Sequence, residues 1–184
     1  MIVRPTVLPG VVIVKPEPVA DERGSFARVY SRREFSANGI DTEFVLSATS
    51  HNTRAGTLRG LHYQAAPFAD AKLVSCIAGR AFDVVVDLRP GSRRYGHWIS
   101  VALSPEDGTQ VFIPEGCAHG FQTLVPDTVI HYQLSAEYRS ELSRGIRWDD
   151  PALDIDSPYP EPTVVSERDR ALPWTEAASL ARSA

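Results

Sequence analysis

Hydrophobic and polar positions alternate along this chain in short runs, and the alternation predicts β-strands more often than helices. In residues 81–88, one face of the predicted strand carries Phe82, Val84 and Val86, and the other carries Asp83, Val85 and Asp87. In residues 128–134, the faces carry Val129, His131 and Gln133 on one side and Ile130, Tyr132 and Leu134 on the other. Strands of this kind point every second side chain toward the interior.

Turn residues separate these runs, since the chain has 14 prolines and 12 glycines. Strands are predicted at residues 11–14, 26–30, 44–50, 73–78, 81–88, 98–103, 110–113, 118–124 and 128–134, with another inside 57–72. A capping box of Ser31 and Glu34 predicts a short helix from Ser31 to Asn38, and a last helix is predicted from Thr175 to Arg182. Together they predict an all-β, cupin-like double-sheet jelly roll with a few short helices and a mouth for a small ligand.

Length and composition limit the classes of protein that fit. The 184 residues suit a single domain spanning 1–184, whose proline-rich tail from Asp150 wraps the barrel. With 43% hydrophobic and 23% charged residues, the chain is predicted to be neither disordered nor membrane-spanning. The net charge of −4 argues against a nucleic-acid partner and leaves small anions to a local basic cluster. The N-terminus lacks a long apolar segment, so a cytoplasmic location is expected.

Cysteine and metal chemistry have little support. Cys76 and Cys117 are the only cysteines, and each lies in an apolar run that predicts a buried free thiol. Cys117 and His119 would share a strand face, but packing explains the pair better than nucleophilic catalysis does. Cupins often bind metal through a His-x-His pair, whereas this chain has His62-Tyr63-Gln64. We therefore predict no metal and no cofactor.

The stretch from Thr57 to Lys72 holds three side chains suited to a single reaction. Arg59 can bind two phosphate oxygens at once through its planar guanidinium. A histidine such as His62 can act as a general base near neutral pH, and Lys72 can stabilise an oxyanion. These residue types favour removal of a proton from a carbon beside a carbonyl, although the same set on a surface strand could simply be solvated.

Such a reaction needs further groups from elsewhere in the chain. An acid must return the proton from the other face, and Tyr132 is a candidate. A carboxylate must fix the tautomer of the base, and Asp83 or Asp169 could do so. Each has a simpler interpretation: a core tyrosine for Tyr132, a surface charge for Asp83 and a solvated charged run for Asp169.

An ordered set of motifs along nearly the whole chain resembles the nucleotide-sugar 3,5-epimerase family. The motifs are Asp21-x-Arg23-Gly24-x-Phe26, Leu58-Arg59-Gly60-Leu61-His62-Tyr63-Gln64, Lys72-Leu73-Val74, Asp83-Val84-x-Val86-Asp87-Leu88-Arg89, Ile113-Pro114-x-Gly116-x-Ala118-His119-Gly120-Phe121, Trp148-x-Asp150-Pro151 and Ser166-Glu167-Arg168-Asp169. A set of this length and order is highly specific. The resemblance implies a metal-free cupin-like jelly roll and a homodimer that exchanges N-terminal strands.

The resemblance also implies roles for individual residues. The substrate would be a nucleotide diphosphate 4-keto-6-deoxy sugar, inverted at C3, C5 or both. The catalytic positions match His62 as base, Asp169 as its partner, Lys72 at the enolate and Tyr132 as acid. The substrate- and nucleotide-binding positions match Arg23, Phe26, Arg28, Ser47, Thr49, Arg59, His119, Tyr138, Ser143 and Arg168. Of these, Arg23 and Phe26 would reach the nucleotide in the partner subunit's site.

Some of the binding positions depart from the family's pattern. Arg28 and Ser143 each replace a usual glutamate, and Ser47-Ala48-Thr49 replaces a usual Gln-x-Asn. A lost carboxylate and a gained guanidinium change what a nucleotide base can bind. The departures predict a CDP- or GDP-linked 4-keto sugar, or a dTDP-sugar other than the rhamnose precursor. A ketoisomerase and a non-catalytic sugar-nucleotide-binding cupin are the alternatives from other classes.

Overall fold

The computed structural model describes residues 1–175, so the helix predicted to run on to Arg182 lies outside the described residues. The regular elements are β1 (Ile2–Pro5), β2 (Val12–Lys15), β3 (Val19–Asp21), β4 (Gly24–Phe26), α1 (Arg32–Ala37), β5 (Leu46–Asn52), β6 (Leu58–Gln64), β7 (Lys72–Ala78), β8 (Ala81–Asp87), β9 (Trp98–Leu103), β10 (Gln110–Ile113), β11 (Cys117–Thr123), β12 (Thr128–Leu134), β13 (Ser143–Gly145) and α2 (Glu167–Arg170). A single 3₁₀ turn at Ser140–Leu142 precedes β13. None of the helices in this part of the chain is long and apolar enough to cross a membrane.

Two antiparallel sheets form the body of the molecule and confirm the predicted jelly roll. The six-stranded sheet has the order β1-β2-β10-β7-β12-β5, and the five-stranded sheet has the order β13-β6-β11-β8-β9. Their inner faces meet in one apolar cluster, to which β7 gives Val74, β8 gives Val85, β11 gives Phe121 and β12 gives Ile130. Each such side chain contributes about 1.5–3 kcal/mol when fully buried, which makes this contact the main stabilisation of the sandwich.

The strands with clear alternation were predicted well. The strands at 98–103, 110–113 and 128–134 have the predicted bounds, and α1 has the predicted Ser31 cap, whose hydroxyl accepts the N–H of Glu34. The strand expected at 26–30 instead ends at Phe26 in the short hairpin β3–β4. Four short elements, β1, β3, β13 and α2, were not predicted. Each is only three or four residues long and carries little hydrophobic alternation. β1 and β3 pair with the next strand along the chain, whereas β13 and α2 depend on contacts with β6, which is distant in sequence.

Two segments leave the body of the sandwich in different ways. The hairpin β3–β4 pairs only with itself among the described residues, and all its residues are exposed, with Phe26 71% accessible. The segment after β13 instead lies against the five-stranded sheet: Leu58 donates its N–H to the Val164 carbonyl at 2.8 Å. This contact brings α2 against β6 and positions the residues of α2 beside the mouth of the barrel.

Candidate active site

A cavity of about 510 Å³ opens between the two sheets and collects most of the predicted site residues. The five-stranded sheet and the tail supply one wall, and β7 and β12 of the six-stranded sheet supply the other. Nine of the predicted residues line it: Arg59, His62, Lys72, His119, Tyr132, Tyr138, Ser143, Arg168 and Asp169. The cavity therefore joins residues that are more than one hundred positions apart in the chain.

His62 and Asp169 form a hydrogen-bonded pair at the inner wall. Nε2 of His62 lies 2.7 Å from Oδ1 of Asp169. The backbone N–H of Gly60 donates to the other carboxylate oxygen at 3.3 Å, and Ser166 caps α2 by accepting the N–H of Asp169. Burial opposes the charge of Asp169, but hydrogen bonds from His62, Gly60 and Ser166 hold its pKa below the ordinary value. The partner of His62 is thus an ionised Asp169 and not Asp83, the other candidate from the sequence.

This pairing decides which nitrogen of His62 can accept a proton. A carboxylate accepts and cannot donate, so Nε2 carries the hydrogen in the pair and Nδ1 keeps its lone pair. The ring remains one-third exposed toward the cavity. His62 consequently has the tautomer and the access that a general base requires.

Two glycines allow the strand that carries His62 to approach its neighbour. A Cβ on Gly60 would lie 2.5 Å from Cα of Gly120 on β11, closer than such atoms approach each other. The residue also has a φ of +132°, which favours glycine. The register of β6 with β11 shifts at this point, between His119 and Phe121. The irregularity presents the Gly60 N–H to Asp169 and so forms part of the site.

A second histidine–carboxylate pair lies deeper in the same wall. Nε2 of His119 lies 2.7 Å from Oδ2 of Asp83, and Asp83 is fully buried. Burial raises the pKa of Asp83, and the adjacent His119 opposes this. The surface-charge interpretation of Asp83 is therefore wrong, because the side chain orients His119 from inside the sandwich.

The neighbouring thiol takes no part in such a pair. Burial raises the pKa of Cys117 to about 12, so the side chain is a neutral thiol at physiological pH. Cys76 and Cys117 are both buried and free, as the sequence predicted. These observations confirm the packing interpretation of the cysteine beside His119.

Lys72 and Tyr132 face His62 from the opposite sheet. Nζ of Lys72 donates to the carbonyl of His62 at 3.2 Å. Burial lowers the pKa of Lys72, and the nearby Asp70 opposes this by favouring the charged form. Burial raises the pKa of Tyr132, so the phenol keeps its proton and can act as a donor. A candidate base and a candidate acid thus enter the cavity from different walls.

Two arginines give the cavity a local positive charge within an acidic protein. Nε of Arg59 donates to Oδ1 of Asn52 at 2.8 Å, and the buried amide of Asn52 is itself fixed to the carbonyl of Thr128 at 3.1 Å. The guanidinium of Arg168 donates to the hydroxyls of Ser143 and Tyr138. This contact lowers the pKa of Tyr138. The arrangement suits a ligand that carries phosphate oxygens.

The sequence did not single out Asn52 or Asp70 as site residues. Asn52 holds Arg59 on the cavity wall, and Asp70 lines the cavity beside Lys72. Polar residues in and beside strands are common on protein surfaces, so residue type gave only a weak signal. The available clue was Asn52, because asparagine is disfavoured in strands and Asn52 ends β5.

Five predicted binding residues lie outside this cavity. Arg23 pairs with Asp21 in the exposed hairpin that also carries Phe26, and Arg28 pairs with Glu34 at 2.9 Å. Ser47 and Thr49 project from the outer face of β5, where Ser47 lies 2.8 Å from Nε2 of His131. Only Ala48 between them lines the cavity, because neighbouring residues of a strand point to opposite faces.

Comparison with known proteins places this geometry in context. The family model described as dTDP-4-dehydrorhamnose 3,5-epimerase matches residues 5–176. A relative of that name from Sinorhizobium fredii is 45% identical over 163 residues, covering 89% of this chain and 84% of the relative. The solved structure of the Bacillus anthracis dTDP-4-dehydrorhamnose 3,5-epimerase, with TDP and PPi bound, is 35% identical with a TM-score of 0.91, and covers 94% of this chain and 98% of its own.

A further solved structure is that of a 3′-monoepimerase from Streptomyces bikiniensis in complex with dTDP-quinovose. It is 30% identical to this chain, with a TM-score of 0.86, and the match covers 97% of this chain and 89% of the other. The similar proteins therefore include enzymes named for inversion at two centres and one named for inversion at a single centre.

Proposed function

The chain belongs to the dTDP-4-dehydrorhamnose 3,5-epimerase family, and we propose that it inverts C3, C5 or both of a nucleotide-activated 4-keto-6-deoxy sugar. It is an isomerase of the nucleotide-sugar epimerase type. The observation that carries the proposal is the His62–Asp169 pair facing Tyr132 and Lys72 across one cavity. Epimerisation involves no net oxidation or reduction, so the proposed reaction needs no redox cofactor.

The proposed mechanism moves one proton off the sugar and another onto it. The C4 ketone acidifies the hydrogens at C3 and C5. Nδ1 of His62 takes the proton, the electron pair of the C–H bond forms the enolate, and the ammonium of Lys72 stabilises its oxygen. The phenol of Tyr132 then delivers a proton to the other face of the carbon, which inverts the centre. Tyr132 suits this role because it lies on the opposite sheet from His62.

The same proposal assigns the diphosphate to the two arginines. Arg59 and Arg168 each present a guanidinium to the cavity, and Arg59 is held in place by Asn52. A TDP ligand in the Bacillus anthracis relative supports a nucleoside diphosphate here as well. His119, oriented by Asp83, would contact the sugar from the same wall.

We further propose that two copies of this single-domain chain complete each site together. The hairpin β3–β4 exposes Phe26 and the guanidinium of Arg23 without burying either in its own protomer. An arm of this kind would gain stability by burying Phe26 against a partner subunit. Arg23 and Phe26 would then reach the partner's nucleotide, which accounts for their distance from the cavity described above.

We expect the nucleotide or the sugar to differ from that of the rhamnose enzymes. Arg168 donates to the hydroxyl of Ser143, at a position where the family has a carboxylate. A neutral hydroxyl does not offset the charge of the guanidinium, so Arg168 can attract an anionic ligand more strongly. A second departure, Arg28, adds a cation near the exposed hairpin. These departures favour a CDP- or GDP-linked 4-keto sugar, or a different dTDP-sugar, over the dTDP-linked rhamnose precursor.

Deuterium wash-in from heavy water tests the proposed function and the nucleotide together. The dTDP-, CDP- and GDP-linked 4-keto-6-deoxy sugars are incubated with the protein, and incorporation at C3 and C5 is followed by NMR. We expect exchange with at least one of them, and a preferred substrate other than the dTDP-linked rhamnose precursor. Exchange only with the dTDP-linked rhamnose precursor, at both carbons, would contradict the proposal of a changed substrate. No exchange with any of the sugars would contradict the proposed epimerase activity.

Replacing Tyr132 by phenylalanine is expected to separate exchange from inversion. His62 can still take a proton and return a deuteron to the same face, so exchange with retention should persist while inverted product falls by about 10²-fold or more. The measurement is the ratio of deuterated substrate to deuterated epimer. Tyr95→Phe, in the loop before β9, is the matched control. Unchanged inversion in Tyr132→Phe would exclude Tyr132 as the acid that protonates the other face.

A further inference from the structure

Lys72 contacts two protein oxygens, and one belongs to a carboxylate that the proposed mechanism does not use. Its Nζ donates to the carbonyl of His62 at 3.2 Å, and Oδ2 of Asp70 lies 3.7 Å from the same nitrogen. The second distance is a charge contact rather than a hydrogen bond. An ammonium has three N–H groups, so two can point at these oxygens while the third remains for a ligand in the cavity.

Asp70 lies on a loop between β6 and β7 that is tied at both ends. Its Oδ1 accepts the N–H of Gln64 at 3.3 Å. The side chain of Gln64 donates to the carbonyl of Phe68 at 2.6 Å, and the N–H of Ala71 donates to the hydroxyl of Ser135 at 2.8 Å. The carboxylate is therefore fixed in position, and only 10% of its side chain is exposed.

The other titratable groups around Lys72 are less able to pair with it. They come from four strands: His62 on β6, Asp83 on β8, Cys117 and His119 on β11, and Tyr132 on β12. Asp83 already accepts from His119, and burial keeps the Cys117 thiol and the Tyr132 phenol protonated. Asp70 is thus the carboxylate that the structure places against the Lys72 ammonium.

We propose that Asp70 is a positioning residue whose carboxylate holds the Lys72 ammonium charged and aimed at the oxygen of the reacting carbonyl. The direction that we assign to the third N–H of Lys72 rests on the proposed function, whereas the pairing of Asp70 with Lys72 does not. Burial lowers the pKa of Lys72 and Asp70 opposes that effect. Without the negative charge of Asp70, burial lowers the pKa of Lys72 further, so Lys72 loses its proton at a lower pH.

The composition of the chain makes this pairing directly measurable. Lys15 and Lys72 are its only lysines, so protein labelled with ¹³C-lysine gives one side-chain signal for each. Lys15 pairs with Asp107 on the surface and acts as an internal reference. In Asp70→Asn we expect the Lys72 signal to titrate at lower pH than in the wild type, with the Lys15 signal unchanged. Asp70→Glu, which keeps the charge, should restore the titration toward the wild-type pH.

Activity provides the second readout. In Asp70→Asn the alkaline limb of the kcat–pH profile should move to lower pH, and kcat should fall by about 10- to 100-fold with little change in KM, because a misplaced catalytic group costs that much. Glu115→Gln, at an exposed turn, is the control for loss of a carboxylate.

Three results would be decisive. A Lys72 signal in Asp70→Asn that titrates at the wild-type pH would overturn the proposal. A rise in KM alone, with the titration unmoved, would overturn it too and would make Asp70 a sugar contact. If the wild type exchanged no deuterium but the Lys72 titration still shifted in Asp70→Asn, the proposed function would fail while the pairing would be supported.

Discussion

Replacing His62 by asparagine is expected to lower the rate of deuterium exchange at C3 and C5 by about 10²–10⁴-fold, the range for loss of a general base. Nδ1 of His62 is the nitrogen available to the cavity, because Nε2 is bonded to Asp169. An amide can occupy the ring's place and accept no proton at neutral pH, so the loss should appear in kcat more than in KM. Exchange is measured by NMR on the preferred nucleotide sugar, and nucleotide binding is measured separately.

The controls distinguish loss of the base from loss of the fold. His97→Asn changes the same residue type at an exposed position outside the cavity and should leave exchange unaffected. Asp169→Asn should reduce exchange while leaving some activity, because His62 remains but its tautomer is no longer fixed. Exchange at the wild-type rate in a folded His62→Asn protein would exclude His62 as the base and, with it, the proposed mechanism.

The sequence was sufficient for the fold wherever one strand face is buried and the other is not. The clear alternation in β12 gave its bounds and placed Tyr132 and His131 on opposite faces, as the structure shows. β13 could not be found in this way because Ser143, Arg144 and Gly145 contain no hydrophobic side chain. It is a strand because its backbone pairs with β6, and that pairing depends on tertiary structure.

The candidate site was predictable in its residue types and less so in its pairings. The residues alone left Asp83 and Asp169 open as partners of His62. Their assignment depends on the close approach at Gly60 and on the Ser166 cap that buries Asp169, both of which involve contacts distant in sequence. The outward direction of Ser47 and Thr49 likewise follows from the register of β5 with β12. The motif resemblance identified the positions but not the faces.

Removing the positive charge of Lys72 from the enolate oxygen is the second change for which we expect a large effect. Lys72→Met keeps the length of the side chain and removes the ammonium, and kcat should fall by about 10²–10³-fold, as for loss of one oxyanion donor. Lys72 is only 8% exposed, so little water could enter to stabilise the enolate in place of the ammonium. The measurement is kcat for deuterium exchange, with Lys15→Met, the only other lysine, as the matched control.

The pH dependence of the wild type tests the same charge without a mutation. Lys72 must be protonated to stabilise an enolate, and burial lowers its pKa from the ordinary value of 10.5. Activity should therefore decline on the alkaline side at a lower pH than an exposed lysine would allow, and the decline should be absent from the residual activity of Lys72→Met. An alkaline limb that persists unchanged in Lys72→Met would assign it to another group and leave Lys72 without an electrostatic role in the rate. If Lys72→Met raised KM and left kcat unchanged, the ammonium would stabilise the bound sugar and the enolate equally. Lys72 would then contribute to binding and not to the rate of the chemical step.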